Sequence, residues 1–207
     1  MKDDYRSDIQ KSFNRWAPIY NLVTLCARGI REKVFDFTSP EKGAKILDVC
    51  TGTGKQAFAF AKRGFDVVGI DLSVEMLKIA EKDNGYDNLR FVMGDAEKLP
   101  CRDNHFDVSC ISFGLHEMPW LAIRKVIIEM TRVTKPQGKL ILVDYSLPPG
   151  RLKSFFYYHF VRLYESQYFP EFVKANLEAI LENTGLKFLG FCDGAFGCVK
   201  IWKYEKV

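Results

Sequence analysis

The chain lacks the features that define several large classes of protein. No apolar run reaches the roughly 20 residues that a membrane-spanning helix needs, and Met1-Lys2-Asp3-Asp4 contains no apolar stretch that could act as a signal peptide. The six cysteines are scattered without CxxC spacing, and no paired histidines accompany them, so the sequence predicts no metal site and no disulfide framework. We therefore expect a cytoplasmic protein with reduced thiols.

Strong charge of one sign is also missing. The formal net charge is +4, and lysine and arginine are interspersed with aspartate and glutamate. This pattern is typical of an ordinary solvated surface and indicates no nucleic-acid groove. The 207 residues, of which 47% are hydrophobic and 14% aromatic, are sufficient for one domain with a full core.

The most informative stretch that is present runs from Lys45 to Lys55, with the sequence KILDVCTGTGK. An apolar run that ends in a glycine-rich turn predicts a buried strand, a loop and a following helix, and Gly52 and Gly54 allow backbone to approach a ligand closely. A second apolar run ends at Asp71, where a carboxylate at the tip of the neighbouring strand can accept hydrogen bonds from both hydroxyls of a ribose. The sequence thus predicts an adenosine-type cofactor site at the carboxyl ends of a parallel sheet.

The order of the predicted elements indicates an α/β fold. Strands and helices alternate over residues 44–146, which predicts right-handed βαβ units in a doubly wound, mostly parallel sheet. Predicted strands span residues 66–71, 89–93, 106–113 and 139–145, and residues 186–192 and 198–203 predict a terminal antiparallel hairpin. A helix is expected at residues 171–183.

We divide the chain into two parts. Residues 1–43 predict an N-terminal helical segment that either packs on the sheet or forms a lid over the cofactor, with Tyr5, Trp16 and Tyr20 as its aromatic contacts. Residues 44–207 form the cofactor-binding domain, which carries a cap-like aromatic insertion at about residues 150–170. The aromatic rings of this insertion form either the cap's own core or the lining of an apolar acceptor pocket.

The glycine loop alone does not identify the cofactor. Gly52-x-Gly54-x-x-Ala57 satisfies the dinucleotide fingerprint, so NAD stays open at this point. However, Asp48 would repel a pyrophosphate, whereas it could receive an ammonium group or a bridging water. Asp95, which follows the third strand, can accept a hydrogen bond from an adenine amine. These charges favour a zwitterionic, sulfonium-bearing nucleoside.

Five motifs in order carry a family resemblance. They are Asp48–Gly54, Val68–Ser73, Gly94–Pro100, Phe106–Val108 and Arg132–Gly138. Together they resemble the motifs of class I S-adenosylmethionine-dependent methyltransferases. The chain is most similar to the branch that contains the ubiquinone and menaquinone biosynthesis methyltransferases, whose entry segment resembles residues 13–21.

The resemblance implies a Rossmann-like, seven-stranded sheet with an antiparallel C-terminal strand. It also implies S-adenosyl-L-methionine as cofactor and S-adenosyl-L-homocysteine as product. The cofactor-binding residues that it implies are Asp48, Cys50, Thr51, Gly52 and Gly54 for the methionine end, Asp71 for the ribose, Leu72 for the adenine face, Asp95 and Ala96 for the adenine amine, and Ser112 at the end of the fourth strand. The chain departs from the family at Cys50 and Gln137, which stand where the family usually has glycine.

Methyl transfer is an in-line displacement at a sulfonium carbon, so the protein mainly aligns the acceptor. We predict His116, after the fourth strand, as a base or orienting group; the alternative is that it only caps the next helix or packs. Tyr20 is a second catalytic candidate, and Asp144-Tyr145 lies at the same rim.

The leading hypothesis is methylation of a small-molecule or lipid-like acceptor of the quinone-precursor or amine type. The alternatives are an NAD(P)-dependent oxidoreductase and a non-catalytic S-adenosylmethionine-binding module. If several aromatic residues of the insertion are exposed, they would suit a hydrophobic acceptor or a peripheral membrane contact.

Overall fold

The computed structural model describes residues 28–163, 165–175, 177–181 and 184–207. Its strands are β1 (Lys45–Val49), β2 (Asp66–Asp71), β3 (Leu89–Met93), β4 (Phe106–Ser112), β5 (Thr134–Tyr145), β6 (Leu186–Gly194) and β7 (Val199–Lys206). Its helices are α1 (Arg28–Thr38), α2 (Lys55–Ala61), α3 (Val74–Asp83), α4 (Trp120–Val133), α5 (Arg151–Val161), α6 (Phe169–Phe172) and α7 (Leu177–Ile180), with 3-10 turns at Leu115–Glu117 and Ala195–Gly197.

The strands form one seven-stranded sheet in the order β3-β2-β1-β4-β5-β7-β6. Strands β1 to β5 pair in parallel, whereas β7 runs antiparallel to both β5 and β6. The predicted fold class is therefore confirmed. The chain proceeds from β1 to one side of the sheet and later returns to β4 on the other side. In open α/β sheets, ligand sites form at the carboxyl ends of the strands where the strand order reverses in this way, and we call this edge of the sheet the crevice.

The central strands are buried on both faces, as their continuous apolar runs predict. Neighbouring residues of β1 point to opposite faces: Ile46 packs in a cluster with Val34 of α1 and Phe60 of α2, and Leu47 packs in a second cluster that includes Ile127 of α4. The two helical layers therefore fix the sheet between them, and the strand ends that form the site are held rigidly.

The helix that follows β2 begins where the sequence predicts. The Ser73 hydroxyl accepts a hydrogen bond from the backbone N–H of Met76 at 3.2 Å, which satisfies one free donor of the first turn of α3. Cys50 and Gln137, the two departures from family glycines, have φ angles of 54° and 63°. Both positions thus keep the left-handed backbone that glycine adopts without strain.

The prediction of one helix at residues 171–183 was wrong for the described part of this range, which leaves out residues 176, 182 and 183. The structure has two separate turns, α6 and α7, and the end of α6 tightens because the N–H of Ala175 is shared between the carbonyls of Glu171 and Phe172. Strand β5 also begins earlier than predicted, at Thr134.

Part of the N-terminal segment lies outside the described residues, namely 1–27, which include Tyr5, Trp16 and Tyr20. Its described part, α1, packs on the sheet through Val34. The lid and the proposed domain division stay predictions. Within the described ranges, no helix is long and apolar enough to cross a membrane.

Candidate active site

The loop between β1 and α2 is folded by its own backbone hydrogen bonds. The N–H of Thr51 donates to the carbonyl of Ile70 at 3.0 Å, and the N–H of Gly54 donates to the carbonyl of Thr51 at 2.9 Å. Gly52 and Gly54 have φ angles of 55° and 78°. A Cβ atom added to Gly52 would meet nothing within 4 Å. The loop therefore turns tightly and presents its Gly52 backbone to open space, where a ligand can approach.

Asp71 ends β2 beside this loop. Its Oδ2 accepts the N–H of Gly52 at 2.7 Å, and its Oδ1 accepts the N–H of Ser73 at 2.8 Å. Burial raises the pKa of Asp71 above its usual value, although these backbone hydrogen bonds act in the opposite direction. The backbone N–H of Leu72 also donates to this carboxylate. The group is only half-buried, so the hydroxyls of a ligand can still reach it.

Asp48 lies fully buried one residue before the end of β1. Burial raises its pKa from 3.8 to about 7, the hydroxyl of Thr51 at 2.6 Å opposes this rise, and the nearby Asp71 adds to it. Burial raises the pKa of both Asp48 and Asp71, so a positively charged ligand near the glycines would favour their ionised forms and would be attracted by them.

The ring of Phe91 on β3 packs against Gly54 of the loop. This residue was not singled out in the sequence analysis. A Cβ atom at Gly54 would lie 2.6 Å from the Phe91 ring, as would one at Gly69. Both glycines are therefore needed for this ring to pack. The available signal was Gly69 itself, because a glycine inside a strand often marks a close approach of another group.

The predicted adenine-binding residues lie at the ends of β2 and β3. The N–H of Gly94 donates to the carbonyl of Asp71 at 3.0 Å, which joins the two strand ends. Asp95 is half-buried, and its Oδ1 accepts the N–H of Glu97 at 2.9 Å. Leu72 is half-buried, whereas Ala96 is buried in the apolar core.

On the other side of the crevice, His116 lies buried between carboxylates. Its Nδ1 is 2.7 Å from Oδ1 of Asp144, and its Nε2 is 3.1 Å from Oε2 of Glu165 and 3.4 Å from Oε1 of Glu117. Tyr145 donates its hydroxyl to the second oxygen of Glu165 at 2.6 Å. His116 thus belongs to a network of five side chains that come from β5, the turn after β4, and the segment after α5.

Asp144 is the best-held member of this network. It is fully buried and accepts the backbone N–H groups of Leu115, His116 and Tyr145 at 3.0, 3.2 and 2.7 Å. Burial alone would lower the pKa of His116, but Asp144, Glu117 and Glu165 outweigh it and raise that pKa well above 6.5. Burial likewise opposes ionisation of Glu165, yet its hydrogen bonds to His116 and Tyr145 lower its pKa.

Cys50 lies at the junction of the two sides of the crevice, where the β1–β2 side meets the β4–β5 side. A Cβ atom at Gly114 would lie 3.1 Å from the Cβ of Cys50, so Cys50 packs against the loop after β4. Burial raises the pKa of the Cys50 thiol, and so do the carboxylates on both sides of it. Those carboxylates are Asp71, Asp48, Asp95 and Asp144.

Two predicted site residues remain to be placed, Ser112 and Tyr20. Ser112 ends β4 next to the junction, half-buried, with its hydroxyl 3.6 Å from Sγ of Cys110. Tyr20 lies outside the described residues. Glu165 was missed because it lies within the aromatic insertion and has no motif around it. Only its distance to His116 reveals it.

Comparisons with known proteins agree with this architecture. The model of the ubiE/COQ5 methyltransferase family matches residues 9–175. Similar proteins include demethylmenaquinone methyltransferases from Paenarthrobacter aurescens, with 38% identity over 68% of this chain and 56% of the relative, and from Lactobacillus johnsonii, with 33% identity over 88% of this chain and 79% of the relative. The chain spans 56%, 62% and 52% of the lengths of three demethylmenaquinone methyltransferases to which it is similar.

Solved structures show the same fold. A SAM-dependent methyltransferase from Aquifex aeolicus superimposes with a TM-score of 0.66 and 26% identity, over 86% of this chain and 89% of that one. The [4+2]-cyclase SpnF superimposes with a TM-score of 0.76 and 18% identity, over 96% of this chain and 94% of that one. The second likeness concerns the fold alone.

Proposed function

This chain belongs to the ubiE/COQ5 methyltransferase family, and we propose that it transfers the methyl group of S-adenosylmethionine to a small, apolar acceptor of the quinone-precursor type. The observation that carries the proposal is the pair of carboxylates, Asp48 and Asp71, around an open glycine loop. The relatives named demethylmenaquinone methyltransferase support the acceptor class.

The charges of the loop fit this cofactor better than a dinucleotide. S-adenosylmethionine carries an ammonium and a sulfonium group, which Asp48 and Asp71 would attract, whereas the pyrophosphate of NAD would be repelled by them. Asp71 would hold the ribose hydroxyls and Asp95 the adenine amine. Neither an NAD(P)-dependent oxidoreductase nor a non-catalytic binding module is supported by the family to which the chain belongs.

The methyl group would be presented toward β4. Cys50 separates the cofactor loop from the turn that carries His116, so an acceptor beside His116 would lie across the junction from the sulfonium. Both ring nitrogens of His116 already contact carboxylates. We therefore assign His116 a positioning role, in which the network fixes the acceptor for in-line attack.

The test is transfer of labelled methyl from S-adenosylmethionine to a demethylated naphthoquinol, with lipid, small soluble and macromolecular products separated. The proposal expects label in the lipid fraction with the intact chain and none with Asp71→Ala. Asp66→Ala is the matched control, because Asp66 is exposed at the other end of the same strand. Label only in another fraction would overturn the acceptor class, and no cofactor binding would overturn the activity.

We also propose that the chain, which the sequence predicts to be cytoplasmic, docks peripherally on an anionic membrane through α5. Large apolar side chains at helical spacing are 57% to 84% exposed on one face of this helix and its end, whereas Val161 on the other face is buried. They are Leu152, Phe155, Phe156, Phe160 and Leu163. Residues 151–163 also contain three exposed lysine or arginine residues and no acidic residue, a composition that suits an interfacial helix on an anionic membrane.

Co-sedimentation with vesicles tests this docking. The intact chain should bind vesicles that contain phosphatidylglycerol more tightly than phosphatidylcholine vesicles, and Phe156→Ser should weaken binding by about tenfold, since a buried Phe contributes about 1.5–3 kcal/mol. Leu121→Ser is the control, because Leu121 is equally exposed on α4. No binding to either vesicle, or equal weakening in both variants, would contradict the proposal.

A further inference from the structure

Three metal-binding atoms converge at the acceptor side of the crevice. Nε2 of His116 lies 3.1 Å from Oε2 of Glu165 and 3.4 Å from Oε1 of Glu117. One ligand atom from each of the three residues lies within 4.8 Å of the other two. Ligands that are each about 2.1 Å from one ion lie roughly 3.0 to 3.4 Å apart in octahedral or tetrahedral coordination. The two distances from the histidine therefore match those of ligands that share an ion.

The other ring nitrogen of His116 makes the contact that metal-binding histidines usually make. Nδ1 of His116 contacts Oδ1 of Asp144 at 2.7 Å, and the backbone N–H groups around Asp144 fix this carboxylate. A carboxylate on one ring nitrogen places the proton there and leaves the lone pair of the other nitrogen for a metal. In His116 that other nitrogen is Nε2, which is directed at the two glutamates.

The carboxylates around His116 also favour a bound cation. The side chains of His116, Glu165 and Glu117 are only 4%, 13% and 18% exposed. Across the described part of the chain, no lysine or arginine forms an ion pair with Glu117, Glu165 or Asp144. Buried carboxylates without a counter-charge are costly, and a bound cation would offset that cost.

We propose that His116, Glu117 and Glu165 bind a divalent first-row metal ion, with Asp144 orienting the histidine. One nitrogen and two carboxylate oxygens suit Mn²⁺ or a similar ion of intermediate hardness. Three protein ligands leave coordination positions open. If the proposed function holds, an oxygen of the acceptor would take one of them; metal binding itself does not depend on that function.

The test is a titration of the dialysed full chain with Mn²⁺ alone, followed by electron paramagnetic resonance of the free ion. Mn²⁺ is chosen because the cysteines would compete for Zn²⁺. We expect one bound ion per chain, and affinity at least about tenfold weaker in Glu165→Gln and in Glu117→Gln. Glu75→Gln should bind like the wild type, because Glu75 is 45% exposed on α3 and pairs with Lys78.

The outcomes separate the two proposals. A wild type that binds no Mn²⁺, or variants that all bind it equally, would overturn the metal site and leave methyl transfer untouched. Mn²⁺ binding without methyl transfer would overturn the proposed function alone. Circular dichroism checks the fold of each variant, and if Glu165→Gln does not fold, the result for the more exposed Glu117 decides the question.

Discussion

The two sides of the crevice use buried carboxylates in opposite ways. On the β1–β2 side, Asp71 accepts the backbone N–H groups of Gly52, Ser73 and Leu72, but it is only half-buried, so a ligand can still reach the carboxylate. On the β4–β5 side, fully buried Asp144 accepts three backbone N–H groups and contacts His116 as well. The comparison teaches that exposure, rather than the number of backbone donors, distinguishes the two strand-end carboxylates.

The largest expected effect follows from removing the charge of Asp144. Asp144→Asn should lower the free energy of unfolding by about 3–5 kcal/mol, because an amide cannot accept all of these donors and leaves His116 without its partner. Urea denaturation measures the change. Asp107→Asn is the control: Asp107 lies at the opposite end of the sheet, half-exposed and paired with Lys135, and should cost less than about 1 kcal/mol. Equal losses would contradict the distinction.

The next effect should be on binding rather than folding. Asp71→Asn should reduce affinity for S-adenosylmethionine by about 100-fold, because each hydrogen bond to a charged group contributes about 1.5–3 kcal/mol and two are weakened. Calorimetry measures the affinity, with Asp66→Asn as control. If Asp71→Asn instead destabilised the fold as much as Asp144→Asn, the two sides would not differ in the way described.

Asp48 should make stability depend on pH. Its pKa is about 7 in the folded chain and 3.8 when exposed, so the folded state holds a proton that the unfolded state has lost. The free energy of unfolding should therefore fall as pH rises from about 4 to about 7, by at most about 1.4 kcal/mol per pH unit. The free energy of unfolding, measured from about pH 4 to about pH 7, should fall less steeply in Asp48→Asn than in the wild type. An identical slope in the two proteins would contradict this prediction.

The smallest expected effect concerns Cys50 and Gln137, the two residues with a left-handed backbone that stand where the family usually has glycine. Gln137 is exposed with a φ angle of 63°, so Gln137→Gly should raise stability by about 0.5–1 kcal/mol. Cys50→Gly should gain less, because Cys50 packs against Gly114 at the junction. Thermal unfolding should show an increase of about 2–4 °C per kcal/mol in a chain of this size. A larger gain at Cys50 would contradict this account of its packing.

The sheet was predictable because its signals are local. The strands that end at Asp71 and Met93 were predicted to the residue, since each is an apolar run bounded by turn residues. The region after β5 was predictable only in part. Three phenylalanines of α5 are exposed, although their helical spacing was equally consistent with a cap core, because spacing reports that residues share a face and does not say what covers it.

The sequence by itself determined the arrangement of the β1–β2 side of the crevice, and only the tertiary structure decided the arrangement of the β4–β5 side. Asp48, Gly52, Gly54 and Asp71 each lie within a few residues of a strand end, and parallel neighbouring strands bring such ends together in any fold of this class. Glu165 lies 49 residues after His116, beyond β5 and α5. No spacing rule connects them, because their contact depends on how the chain after β5 packs back over the crevice.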